Sequence, residues 1–229
     1  MTKRIENRLL RQQVLGPRGL GPGRGRAGPA AGRREQNRLD KRERIRRAGW
    51  ELFTTIGYDE TTTRDVAERA DVAVGTLFIY AEDKRDLLCL VMHDELVEVT
   101  RDRVATLPRD ASLVDQLMHL FNGFFAMYGA HPGIAAAFVR HFPGARGPNG
   151  IAVAELTVNA LSLIAELIVT KQERGEVAVS IDAYQAAANI FSLYFGVLIS
   201  WVAGLVTVEM SLDSVLRASL ELQVRGLRP

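Results

Sequence analysis

Residues 62–84 contain two short stretches with the apolar spacing of α-helices, separated by two turn residues. The segment reads TTRDVAERADVAVGTLFIYAEDK. Thr62 is a suitable helix N-cap, and Asp65 stands where it completes a capping box. The apolar residues of the first stretch fall on one helix face: Val66, Ala67 and Ala70. The pattern predicts a capped helix that ends just before Asp71.

The second stretch runs from about Ala73 to Ala81, after a turn at Asp71 and Val72. We expect its Leu77 to point back at the first helix. Two helices this short cannot bury enough surface to be stable alone. They are therefore predicted to pack on a longer neighbour as a helix-turn-helix, whose second helix can enter the major groove of DNA.

The rest of the chain predicts an all-α fold, because no run alternates apolar and polar residues for long enough to indicate a sheet. A helix over 38–56 should end at Gly57 in the left-handed conformation. Its apolar stripe is Ile45, Ala48, Leu52, Phe53 and Ile56. Further helices are predicted over 84–105, 112–129, 134–142, 150–174, 182–207 and 211–226. Asp83 should cap the first of these, a turn at 131–133 should precede the helix over 134–142, and Ser211 should begin the last.

The positive charge is concentrated at the N-terminal end. Residues 1–47 hold 15 Lys or Arg and 4 Asp or Glu, a net charge of +11; because the whole chain carries +2, residues 48–229 carry −9. Residues 1–37 are predicted to be a flexible basic tail, rich in Gly, Pro and Arg over 16–32. The tail could follow DNA phosphates or enter a minor groove. The alternative is a solvated extension without a nucleic-acid contact.

Four segments of this chain have the order and spacing of a known family pattern. They are AGWELFTTIGY over 48–58, TTTRDVAERA over 61–70, VAVGTLFIY over 72–80 and KRDLL over 84–88. With them, residues 41–90 resemble the tetracycline-repressor (TetR) family of bacterial transcriptional regulators. The resemblance implies a homodimer with a DNA-binding domain over 38–84 and an effector-binding and dimerisation domain over 85–229. It also implies that a small ligand spreads the two DNA-binding domains and releases the operator.

The resemblance assigns the DNA contacts position by position. Those to phosphates are Thr63, Thr76, Tyr80 and Lys84, and those to base edges or the groove wall are Arg64, Val74, Gly75, Phe78 and Ile79. Three positions depart from the family pattern: Ala73 stands where a Ser cap is common, Phe78 replaces a usual Tyr, and Ala81 replaces a usual Phe. Because the exposed face of the second helix lacks Arg, Asn and Gln, we hypothesise that it contacts thymine methyls, while Arg64 makes the polar base contact.

The C-terminal part predicts a dimer interface and a ligand pocket. Two apolar helices, over 182–207 and 211–226, are expected to form a four-helix interface between two copies. An apolar effector pocket is predicted from Met118, Phe121, Phe125, Tyr128, Phe138, His141, Tyr194 and Trp201, with Phe124 and Phe142 as further candidates. The effector should be hydrophobic, with at most one polar group met by His119, His141 or Arg140. Ordinary core packing is the alternative for each of these side chains.

Other classes of function lack a signature in the sequence. The four histidines have no metal-ligand spacing, and no catalytic triad, carboxylate pair or phosphate loop is present, so no enzyme, cofactor or metal is predicted. Cys89, within LLCLVM, should be a buried structural thiol, as in a cytoplasmic protein. The uncharged run 186–208 is long enough to suggest a membrane span, but no second span is predicted. The alternatives are a helical ligand-binding or scaffold protein without operator binding, and a membrane-associated protein.

Overall fold

The computed structural model describes residues 29–229, with side chains from residue 32 except at 209, 212 and 213. Within this range the chain is helical and contains no strand, which confirms the predicted all-α class. In chain order the helices are α1 (Pro29–Thr55), α2 (Thr63–Arg69), α3 (Val74–Leu77), α4 (Lys84–Ala105), α5 (Leu113–Ala130), α6 (Pro132–His141), α7 (Pro148–Glu173) and α8 (Ala183–Val202). A 3₁₀ turn, Phe142–Gly144, follows α6. The last helical segment, α9, joins Val208–Met210, a π-helical turn over Ser211–Leu216, and Arg217–Arg225.

The described residues form two compact units. The first comprises the chain up to Glu95 together with Ala136–Val153, and the second comprises Leu96–Ala135 and Ala154–Pro229. The predicted DNA-binding domain ended at residue 84, whereas the first unit also holds the start of α4, most of α6 and the first turn of α7. The division into a DNA-binding and an effector domain stays a prediction about function, which this geometric division does not test.

The first unit is built on close packing of α1 against α4. A Cβ atom on Gly49 would lie only 2.7 Å from the Val91 side chain, so the absence of a side chain allows the two helices to approach. The buried core includes Ile45, Ala48, Phe53, Val66, Ala67, Leu77, Leu87, Leu88 and Val91. Cys89 is buried there too, as predicted, and burial raises the pKa of its thiol to about 12.

Charged side chains in the middle of α1 form ion pairs within the same unit. Arg46 pairs with Glu43, Asp94 and Glu95, and Arg42 pairs with Asp94. The hydrogen bond from Arg46 lowers the pKa of Glu43 to about 2, and the one from His93 does the same for Asp94.

The second unit buries one face of α5 against α8 and α9. The buried side chains include Leu113, Leu117, Phe121, Phe125, Ile190, Leu198, Leu216 and Leu220. Lys171, near the end of α7, is buried and donates to the Ala111 carbonyl over 2.9 Å and to the Glu176 carboxylate over 3.1 Å. These bonds satisfy an ammonium group that would otherwise be costly to remove from water.

Three boundaries between α1 and α6 differ from the prediction. The first helix begins at Pro29 rather than at residue 38, because proline is well suited to the first position of a helix. Ile56 was wrongly included in the buried stripe: it is 56% exposed, since α1 ends at Thr55 and Gly57 turns the chain with φ +110°. The expected turn over 131–133 is a break at His131 only, because Pro132 already opens α6. The flexible tail was predicted over residues 1–37; residues 1–28 lie outside the described residues, and residues 29–37 belong to α1 instead.

Two C-terminal boundaries also differ. The helix predicted over 182–207 ends at Val202, and Gly204, with φ +73°, follows it. The last helical segment starts at Val208, because Thr207 caps it by accepting a bond from the Met210 amide over 3.2 Å. Ser211, which was predicted to begin this helix, is instead buried and donates to the Thr207 carbonyl.

Two helices have the length and composition of a membrane span. They are α7, Pro148–Glu173, and α8, Ala183–Val202, so the expectation that no second span exists was wrong. Glu155 and Glu166 are the only charged residues of α7 between Pro148 and Thr170. Core helices of soluble proteins pass the same test, so these two do not indicate a membrane protein.

Candidate nucleic-acid interface

The helix-turn-helix begins with the predicted capping box. The Thr62 hydroxyl accepts the Asp65 amide over 3.2 Å, and the Asp65 carboxylate accepts the Thr62 amide over 2.7 Å. These bonds to the charged form lower the pKa of Asp65. Two of the otherwise unpaired amides at the start of α2 are thereby satisfied, which fixes where this seven-residue helix begins.

The turn between the two helices lies where the sequence predicted it. Asp71 has φ +52°, a left-handed conformation that Asp tolerates better than most residues. The Asp71 amide donates to Glu68, and the Val72 amide donates to Ala67, both over 3.0 Å. Arg44 on α1 donates to the Asp71 carbonyl over 3.3 Å and so joins the turn to the longer helix.

The second helix is shorter than predicted. Regular helix covers Val74–Leu77, and turns follow to Tyr80, instead of one helix from Ala73 to Ala81. Ala73 has the extended backbone of an N-cap but makes no side-chain bond, so the missing cap inferred from the sequence is confirmed. Leu77 is fully buried, and α3 packs against α2, as expected for a helix-turn-helix.

The surface presented by α3 and by the turn that follows it is apolar. Val74, Phe78 and Ile79 are 37%, 46% and 77% exposed, and Gly75 is exposed as well. Large exposed hydrophobic side chains concentrated on one short element mark a surface that contacts another molecule. Arg64 on α2 is exposed, whereas Thr63, Thr76, Tyr80 and Lys84 are half-buried. The DNA contacts assigned to these residues from the resemblance stay predictions.

The ammonium group of Lys84 makes two contacts within the first unit. Its ammonium donates to the Asp59 carbonyl over 3.0 Å and lies 4.4 Å from the centre of the Tyr58 ring. Burial raises the pKa of Tyr58 to about 12, so its phenol is neutral at physiological pH. A phosphate contact by Lys84 must therefore share this ammonium with Asp59.

Six of the predicted pocket residues belong to the second unit, and most of these form one aromatic cluster. The Tyr194 ring stacks on Phe121 at 4.4 Å and meets Phe125 edge-on at 5.8 Å. Trp201 lies 6.3 Å from Phe125 between ring centres. Tyr128 and Tyr194 are hydrogen-bonded to each other, and burial raises the pKa of both phenols. Met118 is buried on the same helix as Phe121.

The other two predicted pocket residues lie in the first unit. Phe138 stacks on Phe142 at 5.4 Å, and His141 lies 4.9 Å from the Tyr58 ring. The Nε2 atom of His141 is buried without a hydrogen-bond partner among the described residues. Of the other two candidate polar contacts for an effector, Arg140 pairs with Asp59, while Nε2 of His119 lies 3.1 Å from the Arg103 carbonyl.

A cavity of about 700 Å³ lies elsewhere in the second unit. Its lining is mixed in charge and includes Ser112, Asp115, Lys171, Glu176, Arg217 and Arg228. The predicted pocket residues do not contribute to this lining, and the pocket assignment itself stays a prediction. Among the residues described with side chains, no three His, Cys, Asp or Glu side chains are placed to hold a metal ion.

Comparison with known protein families identifies the helix-turn-helix segment. Residues 45–89, which hold the end of α1, both helices of the helix-turn-helix and the start of α4, match the model of the bacterial regulatory proteins, tetR family. This segment is therefore the DNA-binding part of a TetR-family transcriptional regulator. No curated protein sequence matches the chain.

Solved structures of TetR-family regulators share its fold. FadR from Bacillus subtilis, solved with stearoyl-CoA, is 20% identical with a TM-score of 0.63, over 81% of this chain and 99% of that one. FadR from Thermus thermophilus, solved with lauroyl-CoA, is 24% identical with a TM-score of 0.62, over 81% and 92%. A regulator from Rhodococcus sp. RHA1 is 19% identical with a TM-score of 0.65, over 82% and 97%. At these identities the likeness concerns the fold.

We expect that Ala73→Ser will stabilise the protein. A Ser hydroxyl at this extended N-cap position can accept an amide of the first turn of α3, which Ala cannot, and such caps contribute about 1 kcal/mol. Urea unfolding should show a higher midpoint with an unchanged slope. Ala73→Val, which adds a side chain without an acceptor, is the matched control; an equal gain for both variants would contradict the capping explanation.

Proposed function

We propose that this protein is a dimeric, ligand-responsive repressor that recognises its operator mainly through thymine methyl groups. The observation that carries the proposal is the apolar exposed face of α3 and the turn after it, within a TetR-family DNA-binding segment. Bidentate hydrogen-bond readout of purines in the major groove uses Arg, Lys, Asn or Gln, and this face has none of them. Val74, Phe78 and Ile79 can instead contact the C5 methyl of thymine, which is the apolar group that the major groove displays.

Arg64 complements this apolar face. It lies on the exposed side of α2, one helix before the recognition helix α3. An arginine can donate two bonds to the O6 and N7 acceptors of guanine. The proposed half-site is therefore a run of thymines beside one guanine, while hydroxyl groups of Thr63, Thr76 and Tyr80 bind phosphates.

Dimerisation is proposed through α8 and α9. The outward face of α8 is formed at helical spacing by small, polar and apolar residues: Gln185, Asn189, Ser192, Gly196 and Ile199. Only 33% of the most apolar window of α8 is buried within one chain. On α9, Leu222 is 70% exposed and Ala218 is exposed beside it. A second copy would cover these residues, and Gly196 would let the two backbones approach.

The proposed effector carries a long apolar chain. The aromatic cluster of α5 and α8 offers a wide apolar lining with one polar pair, Tyr128 and Tyr194, and such a combination is typical of ligand sites. Two FadR structures with the same fold contain lauroyl-CoA and stearoyl-CoA. Because the aromatic rings here are packed against one another, an acyl chain would have to separate them, and that displacement would link binding to a change of shape.

Replacement of thymine by uracil should weaken operator binding. Duplexes are first selected from a random pool by the purified protein, and thymines in the conserved half-sites are then changed singly to deoxyuridine. Each lost methyl contact should reduce affinity about fourfold, since a buried methyl contributes roughly 0.8 kcal/mol. Uracil outside the half-sites is the control, and Ile79→Ala should abolish the effect at its contact. Selected sites whose affinity is insensitive to every replacement would disprove methyl readout without affecting DNA binding itself.

The variant Ile199→Asp should be monomeric. A carboxylate at this position, 47% exposed in one chain, would be buried without a partner in the proposed interface. Sedimentation equilibrium should give half the mass of the wild-type protein. Val179→Asp, at a position 84% exposed outside the helices, is the matched control and should stay dimeric. A dimeric Ile199→Asp variant would place the interface elsewhere.

Lauroyl-CoA should reduce the affinity for selected DNA and change Trp201 fluorescence, because that indole belongs to the aromatic cluster. Coenzyme A without an acyl chain is the control and should do neither. Normal DNA binding at saturating lauroyl-CoA, with unchanged fluorescence, would exclude acyl-CoA as the effector.

A further inference from the structure

A buried carboxylate connects three segments of the first unit by hydrogen bonds. Asp86, in the first turn of α4, is 1% exposed. Its Oδ1 accepts the amides of Asn149 and Gly150, both over 2.9 Å. Its Oδ2 accepts the amide of Glu82 over 3.0 Å and Nδ2 of Asn149 over 2.9 Å. An ionised carboxylate has about four acceptor positions, so these bonds occupy all of them.

Asn149 extends this arrangement to the recognition element. Its Nδ2 also donates to the Tyr80 carbonyl over 2.8 Å. Tyr80 ends the turn that follows α3, and Asn149 stands in the first turn of α7. The two side chains therefore connect the end of α3, the start of α4 and the start of α7, which we call the Asp86–Asn149 junction.

The backbone at the junction passes too close to Asp86 for a side chain at residue 147. A Cβ atom on Gly147 would lie 2.3 Å from Cγ of Asp86, a distance at which two non-bonded carbon atoms clash, so one of them would have to move. Glycine at this position allows the chain before α7 to pass the carboxylate. Asp86 also accepts hydrogen bonds from two backbone amides in the first turn of α7. Amides at the start of a helix otherwise have no partner within the helix.

The recognition helix has few other restraints at its ends. It has four regular residues and no side-chain cap at Ala73. Helices this short depend on their surroundings for their conformation. At its C-terminal side, the bonds to the Tyr80 carbonyl and the Glu82 amide hold the chain that leaves α3.

From this geometry we infer that Asp86 and Asn149 are positioning residues for operator binding. They do not contact DNA; they hold the orientation of α3 and of the turn after it, which present Val74, Phe78 and Ile79 to the groove. The inference rests on the proposed DNA-binding role of α3. Loss of the junction should therefore weaken operator affinity by more than it weakens the fold, because a misoriented helix loses base contacts while its core remains buried.

The test is Asn149→Ala against Ser112→Ala. The second variant removes the N-cap of α5 in the other unit, where the Ser112 hydroxyl accepts the Asp115 amide over 3.2 Å. Both should lower the melting temperature by a similar few degrees. Asn149→Ala should weaken binding to selected DNA about tenfold, whereas Ser112→Ala should leave it within about twofold. Gly147→Ala, which crowds Asp86 without removing a hydrogen-bonding group, should behave like Asn149→Ala.

Hydrogen exchange of the free protein provides a readout without DNA. Exchange at the Glu82 amide should accelerate in Asn149→Ala and Gly147→Ala, and remain unchanged in Ser112→Ala. Wild-type affinity in both junction variants, or an equal loss in Ser112→Ala, would overturn the positioning role while leaving DNA binding established. A wild-type protein that selects no DNA would overturn the proposed function and this inference together.

Discussion

The DNA-binding segment depends on the burial of two helices that are too short to be stable alone. Val66 and Leu77 are completely removed from water, and they join a core in which α1 and α4 approach at Gly49 and Val91. Each fully buried aliphatic side chain contributes about 2 kcal/mol, which is large beside the marginal stability of such a unit. This packing constrains only the side chains on the inward faces of α2 and α3. The residue types on the outward face are not constrained by it. In this chain that face is apolar, and the proposed readout follows from it.

Local features of the fold were predictable from the sequence. The capping box at Thr62, the turn at Asp71 and the left-handed Gly57 each depend on a few neighbouring residues, and all three are confirmed. Helix ends were harder to predict. Pro29 and Pro132 begin helices where glycine and proline had indicated a flexible tail and a turn, and Thr207 caps a helix where the end of the preceding helix was predicted. Such residues suit both a helix start and a loop, and only the packing of the following turn decides between them.

The contacts that define the candidate site were less predictable, because they join residues distant in sequence. Asp86 and Asn149 are 63 positions apart, and neither belongs to a recognisable motif. Lys84 likewise contacts residues distant in sequence, because its ammonium is hydrogen-bonded to the Asp59 carbonyl and lies over the Tyr58 ring. A position that the family pattern assigns to phosphate contact therefore has a second, structural role. In the second unit the aromatic spacing indicated that the residues are apolar and internal, but not that Tyr194 would stack on Phe121. Side-chain geometry of this kind depends on helix packing, which one sequence does not specify.

The central claim is that the surface of α2 and α3 binds DNA in a manner that depends on sequence. Hydrogen-exchange measurements on the wild-type protein, with and without a duplex selected from a random pool, test it most directly. The account predicts slower exchange concentrated over residues 63–84, and none of this protection with a scrambled duplex of equal length and charge. Protection located in the second unit, or equal protection by selected and scrambled duplexes, would contradict it.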